Sequence, residues 1–348
     1  MTVLPIAPRI AVLGSGSWGT AIAISLARNG RPITLWSHSR ESASQIAAAR
    51  ENRKYLPGFK LPASITVTAD DAALTSADIL VSVIPSEFLR TAIARLRPQL
   101  HSGHILLSAT KGIVPSPASG SEPATYLRIS QLIAAIIGES ELKLPIGCLS
   151  GPSFAQEVAA GQPTAITVAF DDHSIAALIQ REFSSESLRL YTSSDLIGAE
   201  LGGALKNIIA IAAGITSGMG LGSNSTAGLI TRGIAEMTRL AVACGARRET
   251  LAGLSGLGDL VLTCTGALSR NRTVGIELGK GRKLPEILAG LGGKVAEGVH
   301  TTRAALGLAQ QHRVEMPIAE QMALILDQGK NPREAIKDLM LRPGKHEH

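Results

Sequence analysis

The stretch that most restricts the fold is "RIAVLGSGSWGTAIAISLARNGRPITLW", Arg9 to Trp36. A short β-branched run meets a glycine-rich turn, a helix-length apolar segment stops at Gly30, and a second β-branched run follows, which predicts a β-α-β unit. Gly14, Gly16 and Gly19 fall in the G-x-G-x-x-G pattern directly after the strand and at the opening of the helix. In that setting the first glycine permits the tight turn, the second admits a pyrophosphate to the backbone, and the third lets helix and strand pack closely. N–H groups of the helix's first turn then face the phosphates. Taken on the loop alone, a glycine-rich turn in an unrelated α/β fold stays open as the bland alternative.

Further strand-like runs cover Asp78–Pro85, His104–Thr110, Ile146–Gly151, Ala165–Phe170 and Leu188–Thr192, separated by helical lengths. They predict a Rossmann-type, doubly wound and mostly parallel sheet. After Ser193 the alternation disappears and the apolar runs become long and helix-like, with Asp195 placed to cap a helix running to about Thr216. Later helices are expected near residues 225–244, 258–265, 274–278, 284–289, 301–311, 317–326 and 332–341. The expected fold class is therefore α/β followed by all-α, with a dinucleotide-binding domain over residues 1–193 and a helical substrate-binding and catalytic domain over residues 194–348.

Within the helical half, "ELGGALKNIIAIAAGI", Glu200 to Ile215, is apolar on nearly every face yet carries Lys206 and Asn207 at its centre. Burying a lysine without a partner is costly, so its head either escapes to water or is put to use. Asp259 and Thr263 in "GLGDLVLTCT" are four residues apart and share one helix face. A carboxylate beside a buried lysine would raise its pKa while desolvation lowers it, a balance suited to proton exchange. "SRNR" offers Arg270 as a planar cation between Ser269 and Asn271, good chemistry for a phosphate or carboxylate and equally compatible with an exposed loop. "SATKG" puts Lys111, and "SGPSFA" puts Ser153 and exposed backbone N–H groups, just beyond strand carboxyl ends, where doubly wound folds bind ligands.

The 348 residues are 45% hydrophobic and 18% charged, enough for two packed domains and too apolar for disorder. With 36 glycines and only 3% aromatics, close helix packing through small side chains is expected. The net charge of +6 comes without a basic block, which argues against nucleic acid and fits phosphorylated, anionic ligands. Cys148, Cys244 and Cys264 have no disulfide or zinc spacing, so reduced thiols in a cytoplasm and no metal are expected. The N-terminus carries two prolines and no basic leader and does not read as a signal peptide. Glu200 and Lys206 would each cost about 2.5–3.5 kcal/mol inside a bilayer, so no membrane span is expected. His101 and His104 in "HSGH" read as a solvated turn.

At the end of the second strand, where an NAD-selective site offers a carboxylate to the ribose, the chain reads "LWSHSR" with no acid before Glu41. His38, with Ser37, Ser39 and Arg40, suits a 2′-phosphate, so NADPH is favoured and NADH remains open; solvated turn residues are the alternative.

Taken in order, "GSGSWGTAIA", "NRKYLPG", "ATKG", "SGPSFAQEVAAG", "LGGALKNIIAIAAG", "TRGIAEMTRL", "GLGDLVLTCT", "SRNR", "VAEGVHTT" and "MPI" resemble the bacterial NAD(P)-dependent glycerol-3-phosphate dehydrogenases over essentially the whole chain. The resemblance implies reduction of dihydroxyacetone phosphate to sn-glycerol 3-phosphate for glycerophospholipid synthesis, in a cytoplasmic homodimer. It implies Lys206 as the proton donor to the C2 oxygen, with Asn207, Asp259 and Thr263 lining the site and Asp259 orienting the lysine. Arg270, Ser269 and Asn271 would grip the substrate, joined by Lys111, Gly151 and Ser153. Cofactor contacts would come from Gly14, Gly16, Ser17, Trp18, Gly19, His38, Lys111, Ala155, Arg270, Val295 and Glu297. Ser255 stands where the family commonly has alanine.

Overall fold

The computed structural model describes residues 8–116, 125–290, 296–344 and 346. Within them the chain forms two compact units. One runs to Val114 and resumes over Leu127–Glu200; the other holds the rest, from Leu201 onward together with the segment between Val114 and Leu127.

The first unit is built on strands β1 (Ile10–Leu13), β2 (Ile33–Trp36), β3 (Ile65–Thr68), β4 (Ile79–Ser82) and β5 (Ile105–Ser108). The short strands β6 (Ile113–Pro115) and β7 (Tyr126–Arg128) pair only with each other, and β8 (Ile146–Ser150), β9 (Thr164–Ala169) and β10 (Leu188–Ser193) complete the main sheet. Its order is β10-β9-β8-β5-β4-β1-β2-β3. All pairings are parallel except β8 with β9. The order reverses at β1, so its carboxyl end, which carries the glycine loop, lies at the switch point where open sheets leave a crevice. Successive residues feed opposite cores: Ile10 and Val12 join one apolar cluster, Ala11 and Leu13 the other, as a sheet covered on both faces requires.

Helices α1 (Ser17–Ala27), α2 (Arg40–Ala49), α3 (Ser86–Leu96), α4 (Ile129–Gly138), α5 (Ala155–Ala160) and α6 (His173–Phe183) belong to this unit. Strand β3 and helix α2 were absent from the sequence-based expectation. β3 is an edge strand of four residues, and the apolar residues of α2 are a single isoleucine and alanines, so neither leaves a strong period. The solvated-turn expectation for "HSGH" fails for His104, which is fully buried, stacks on His101 and accepts a hydrogen bond from the His101 N–H. Burial lowers its pKa to about 4 and keeps it neutral.

Helix α7 (Leu196–Gly218) starts with Asp195 as its cap, the carboxylate accepting from the Gly198 N–H at 2.8 Å. It is the one described helix long and apolar enough, by length and composition, to cross a membrane; 94% of its apolar window is buried inside the fold. Its early residue Glu200 is buried and accepts from the Ser130 N–H and hydroxyl, at 2.7 and 2.8 Å, and from Arg128. This carboxylate thereby closes the start of α4.

The second unit continues with α8 (Ser223–Ala243), α9 (Arg248–Ala252), a π-turn over Leu254–Gly258, α10 (Asp259–Thr265), α11 (Arg270–Gly279) and α12 (Leu284–Gly290). The last three helices are α13 (Glu297–Gln311), α14 (Pro317–Gln328) and α15 (Pro332–Met340). Helix α7 crosses α11 on reciprocal glycines. A Cβ on Gly214 would stand 2.1 Å from the Arg272 carbonyl oxygen, and one on Gly275 would stand 2.0 Å from that of Ile211. One turn on, Gly218 meets Ile276 and Gly279 meets Ile215 in the same way. No side chain fits there, so the backbones touch.

Glu236 on α8 is 1% exposed and accepts from the N–H groups of Ile318 and Ala319, both at 3.0 Å, at the start of α14. Met316 supplies no side-chain cap, so Glu236 caps the helix from across the unit. Burial raises its pKa from 4.5 to about 7; the two N–H bonds and Arg239 pull it down, and Glu320 pushes it up. The protonated form is thus favoured by folding, and its contribution is complete below pH 4.5 and lost as pH rises through about 7. Glu236→Ala strands both N–H groups and is expected to cost about 1–3 kcal/mol for each. Denaturant titrations of both proteins should show their stability gap narrowing between pH 4.5 and 7.5.

Candidate active site and glycine loop

In the first unit the glycine loop has the geometry a dinucleotide demands. Gly14 has φ +117°, and a Cβ there would lie 3.2 Å from the Val83 carbonyl oxygen. A Cβ on Gly19 would lie 1.8 Å from the Gly14 carbonyl, so α1 touches the turn through bare backbone. Around Gly16 nothing lies within 4 Å of where a Cβ would be, which leaves the side open for a pyrophosphate. Gly16 is also the N-cap and offers no side chain, so the N–H groups of the first turn keep their outward donors. The residues fit the group.

The loop is braced by a segment to which the sequence assigned no role. Asn52, 1% exposed, donates to the Ser15 carbonyl and to Thr20 Oγ1, both at 2.8 Å, and accepts from the Tyr55 N–H. Ser17 spends its hydroxyl on the Tyr55 carbonyl at 2.6 Å, while Trp18 packs on the apolar cluster below. The block "NRKYLPG" was the available signal, but an asparagine in a polar stretch looks like any turn residue.

His38 is exposed at the end of β2, and Lys111 is half-buried after β5. Gly151 has φ +129° after β8 and is followed by Ser153, whose hydroxyl donates to the Gly151 carbonyl at 3.0 Å. Ala155 opens α5.

In the second unit the question raised by Lys206 has an answer. Its side chain does not escape: the residue is 6% exposed, its ammonium pairs with Asp259, which is 1% exposed, and it donates to Thr263 Oγ1 at 2.6 Å. The Thr263 hydroxyl donates to the Asp259 carbonyl at 2.6 Å, which turns its lone pairs toward the lysine. Gly202, one turn before Lys206, makes this possible: a Cβ there would stand 2.4 Å from the Ser255 carbonyl oxygen. The close contact at 202 and 255 sets the register that brings 206 to 259. Cys264 next door is held neutral, its pKa pushed up to about 12 by burial.

Asn207 continues the cluster. Its side-chain carbonyl accepts from Asn271 at 2.9 Å, its amide donates to Glu297 at 3.4 Å, and Asn271 accepts from the Gly298 N–H at 3.0 Å. Ser269 is buried and caps α11 through the Arg272 N–H, so the exposed-loop reading of "SRNR" fails for Ser269 and Asn271. Arg270, the first residue of α11, is exposed. Val295 lies outside the described residues.

The described geometry is accompanied by matches along the whole chain. The profile of the NAD-dependent glycerol-3-phosphate dehydrogenase N-terminus matches residues 9–176, and that of the C-terminus matches residues 195–337. The chain belongs to the NAD-dependent glycerol-3-phosphate dehydrogenase family. A protein of Acidobacterium capsulatum named NAD(P)+ glycerol-3-phosphate dehydrogenase is 60% identical over 344 residues, covering 97% of this chain and 99% of its own. One from Koribacter versatilis with the same name is 52% identical, covering 97% and 98%. The crystal structure of glycerol-3-phosphate dehydrogenase from Coxiella burnetii superposes with a TM-score of 0.89 at 38% identity, covering 97% of this chain and all of that one. The family membership, the Rossmann-type fold with its helical second half, and the NAD(P) cofactor class stand as expected.

Because Gly202 admits no side chain, Gly202→Ala is expected to destabilise the protein by about 1–3 kcal/mol through overpacking. Its urea midpoint relative to wild type measures this.

Proposed function

We propose that this family member reduces dihydroxyacetone phosphate to sn-glycerol 3-phosphate with Lys206 as proton donor, and supplies that product to glycerophospholipid synthesis. The observation that carries the role of Lys206 is its burial between Asp259 and Thr263, an ammonium held where water does not compete for it. When bound, the nicotinamide of NADPH or NADH supplies the hydride. Lys206 gives its proton to the C2 oxygen as charge develops there, and takes it back in the reverse direction. Asp259 holds the ammonium in place and aims it, and Thr263 fixes its second hydrogen bond. Asn207 and Asn271 hold each other with their amides in one orientation, offering a fixed polar edge to the substrate. Arg270, exposed at the start of α11, supplies a guanidinium for the phosphate, with the buried Ser269 fixing that helix end.

Lys111, Gly151 and Ser153 keep the substrate role, and Ser17, Trp18, His38, Ala155, Val295 and Glu297 the cofactor role, that the family resemblance implies. Ser17 donates its hydroxyl to the Tyr55 carbonyl and so contributes to the cofactor role through its backbone, whereas Ser269 only accepts from the Arg272 N–H and keeps its own O–H for the substrate. A homodimer and a cytoplasmic location belong to the same proposal.

Lys206→Ala is expected to lower the rate of NADPH oxidation with dihydroxyacetone phosphate by about 10²–10⁴-fold, the usual contribution of a positioned general acid. It also leaves Asp259 buried and unpaired, which costs about 3–5 kcal/mol, so circular dichroism and an NADPH titration must first show a folded, cofactor-binding protein. A folded variant with wild-type turnover would refute the role of Lys206. Asn52→Ala, which unties the glycine loop, is expected to weaken NADPH binding while leaving the Lys206 site intact; calorimetry reads this directly.

A further inference from the structure

The turn after β2 is tied to the glycine loop on its inner side and held on its outer side by side chains that neither that loop nor the lysine site uses. From inside, the Ser37 N–H donates to the Thr68 carbonyl at 2.8 Å, its hydroxyl accepts from Ser15 at 2.9 Å, and the Trp36 carbonyl accepts from the Gly14 N–H. From outside, the Trp36 indole N–H donates to Asp71 Oδ1 at 3.0 Å. Arg95, near the end of α3, grips both Asp71 oxygens at 2.7 and 2.8 Å, lies over the Trp36 ring at 5.3 Å, and donates to the His38 carbonyl at 3.4 Å. Beyond that carbonyl come Ser39, which caps α2, and Arg40.

Two guanidiniums therefore border one cavity of about 550 Å³ lined by Arg40, Ser44, Thr68, Asp70, Asp71 and Arg95, and they differ in kind, while Asp70 turns its carboxylate to the Ala72 N–H. The charge of Arg95 is matched in a two-pronged pair with Asp71. Arg40 has no hydrogen-bond or ion-pair partner among the described residues and is exposed. The matched cation anchors and the unmatched one is available to an anion. A planar fork stacked on an indole holds direction as well as charge, which an ammonium in its place would not.

We propose that Arg95, clamped by Asp71 and stacked on Trp36, is a positioning residue that fixes the direction of the Ser37–Arg40 turn and so sets the preference for a 2′-phosphorylated dinucleotide. This rests on the reading above that the turn receives the adenosine ribose. Arg95 acts through the His38 carbonyl, and Arg40 and His38 meet the phosphate.

Calorimetric titration of NADPH and of NADH into wild type, Arg95→Ala, Asp71→Asn, Arg40→Ala and His38→Ala tests it. Wild type should bind NADPH more tightly than NADH. Arg95→Ala and Asp71→Asn should each shrink that ratio by about tenfold, through weaker NADPH binding, while the NADH dissociation constant stays within about twofold. An equal loss for both cofactors would mean that the clamp only supports the fold, and an unchanged ratio would mean that it does nothing to the turn; either overturns the proposal, as does a wild-type ratio near one. Arg40→Ala separates the two levels. If it collapses the ratio while Arg95→Ala does not, the positioning role alone is lost; if Arg40→Ala and His38→Ala both leave the ratio intact, the reading of the turn itself fails.

Discussion

A lysine ammonium removed from water is the constraint around which the helical unit is arranged. Its charge is tolerable only with a carboxylate in direct contact and with the remaining polar atoms of both groups satisfied. Asp259 and Thr263 meet those needs, and they can do so only because α7 lies close enough to the chain before α10 for backbone to touch backbone at Gly202. The neighbouring crossing with α11 applies the same device twice more, and it sets Asn271 beside Asn207. The abundance of glycine and scarcity of aromatic residues in the chain thus have a specific use: polar groups of modest length can reach one another across helices whose axes are unusually near.

The α/β unit solves a different problem by similar means. A dinucleotide phosphate needs exposed N–H donors and no side chains in the way, so the loop between β1 and α1 is stripped to Gly14, Gly16 and Gly19. A loop stripped in that way has nothing of its own to hold it. Asn52 and the Tyr55 carbonyl supply the missing rigidity from one side, and Ser15 with Ser37 ties the loop to the end of β2 from the other. Polar side chains bonded to the loop and to one another thereby decide how well its backbone is held.

How much of this was legible in the sequence follows from how local each feature is. The glycine pattern and its flanking strand and helix occupy one continuous stretch, and the buried lysine stands out against an apolar helix, so both were readable. The pairing of Lys206 with Asp259 was suggested by composition but located only through the family resemblance, since 53 residues separate them. The roles of Asn52, Glu236 and Arg95 were invisible because their partners are backbone atoms or residues far away, and the blocks that contain Asn52 and Glu236 say nothing of what those side chains hold. Ser269 shows the converse. Its place in "SRNR" suggests a substrate ligand, and the fold uses its hydroxyl to start a helix. Strand β3 and helix α2 were missed for a plainer reason: an edge strand of four residues and a helix whose apolar residues are one isoleucine and alanines give weak signals.

The wiring of α7 also has a consequence for synthesis of the chain. Its acid partner for Lys206 comes 53 residues later, Asn271 follows Asn207 by 64, and Glu297 follows it by 90. At a translation rate of roughly 5–20 residues per second, a 23-residue apolar segment with an unmatched ammonium waits some seconds before its neighbours emerge. The α/β unit precedes it and can fold first, but the helix that carries Lys206 spends that interval as the most apolar long segment described in the growing polypeptide.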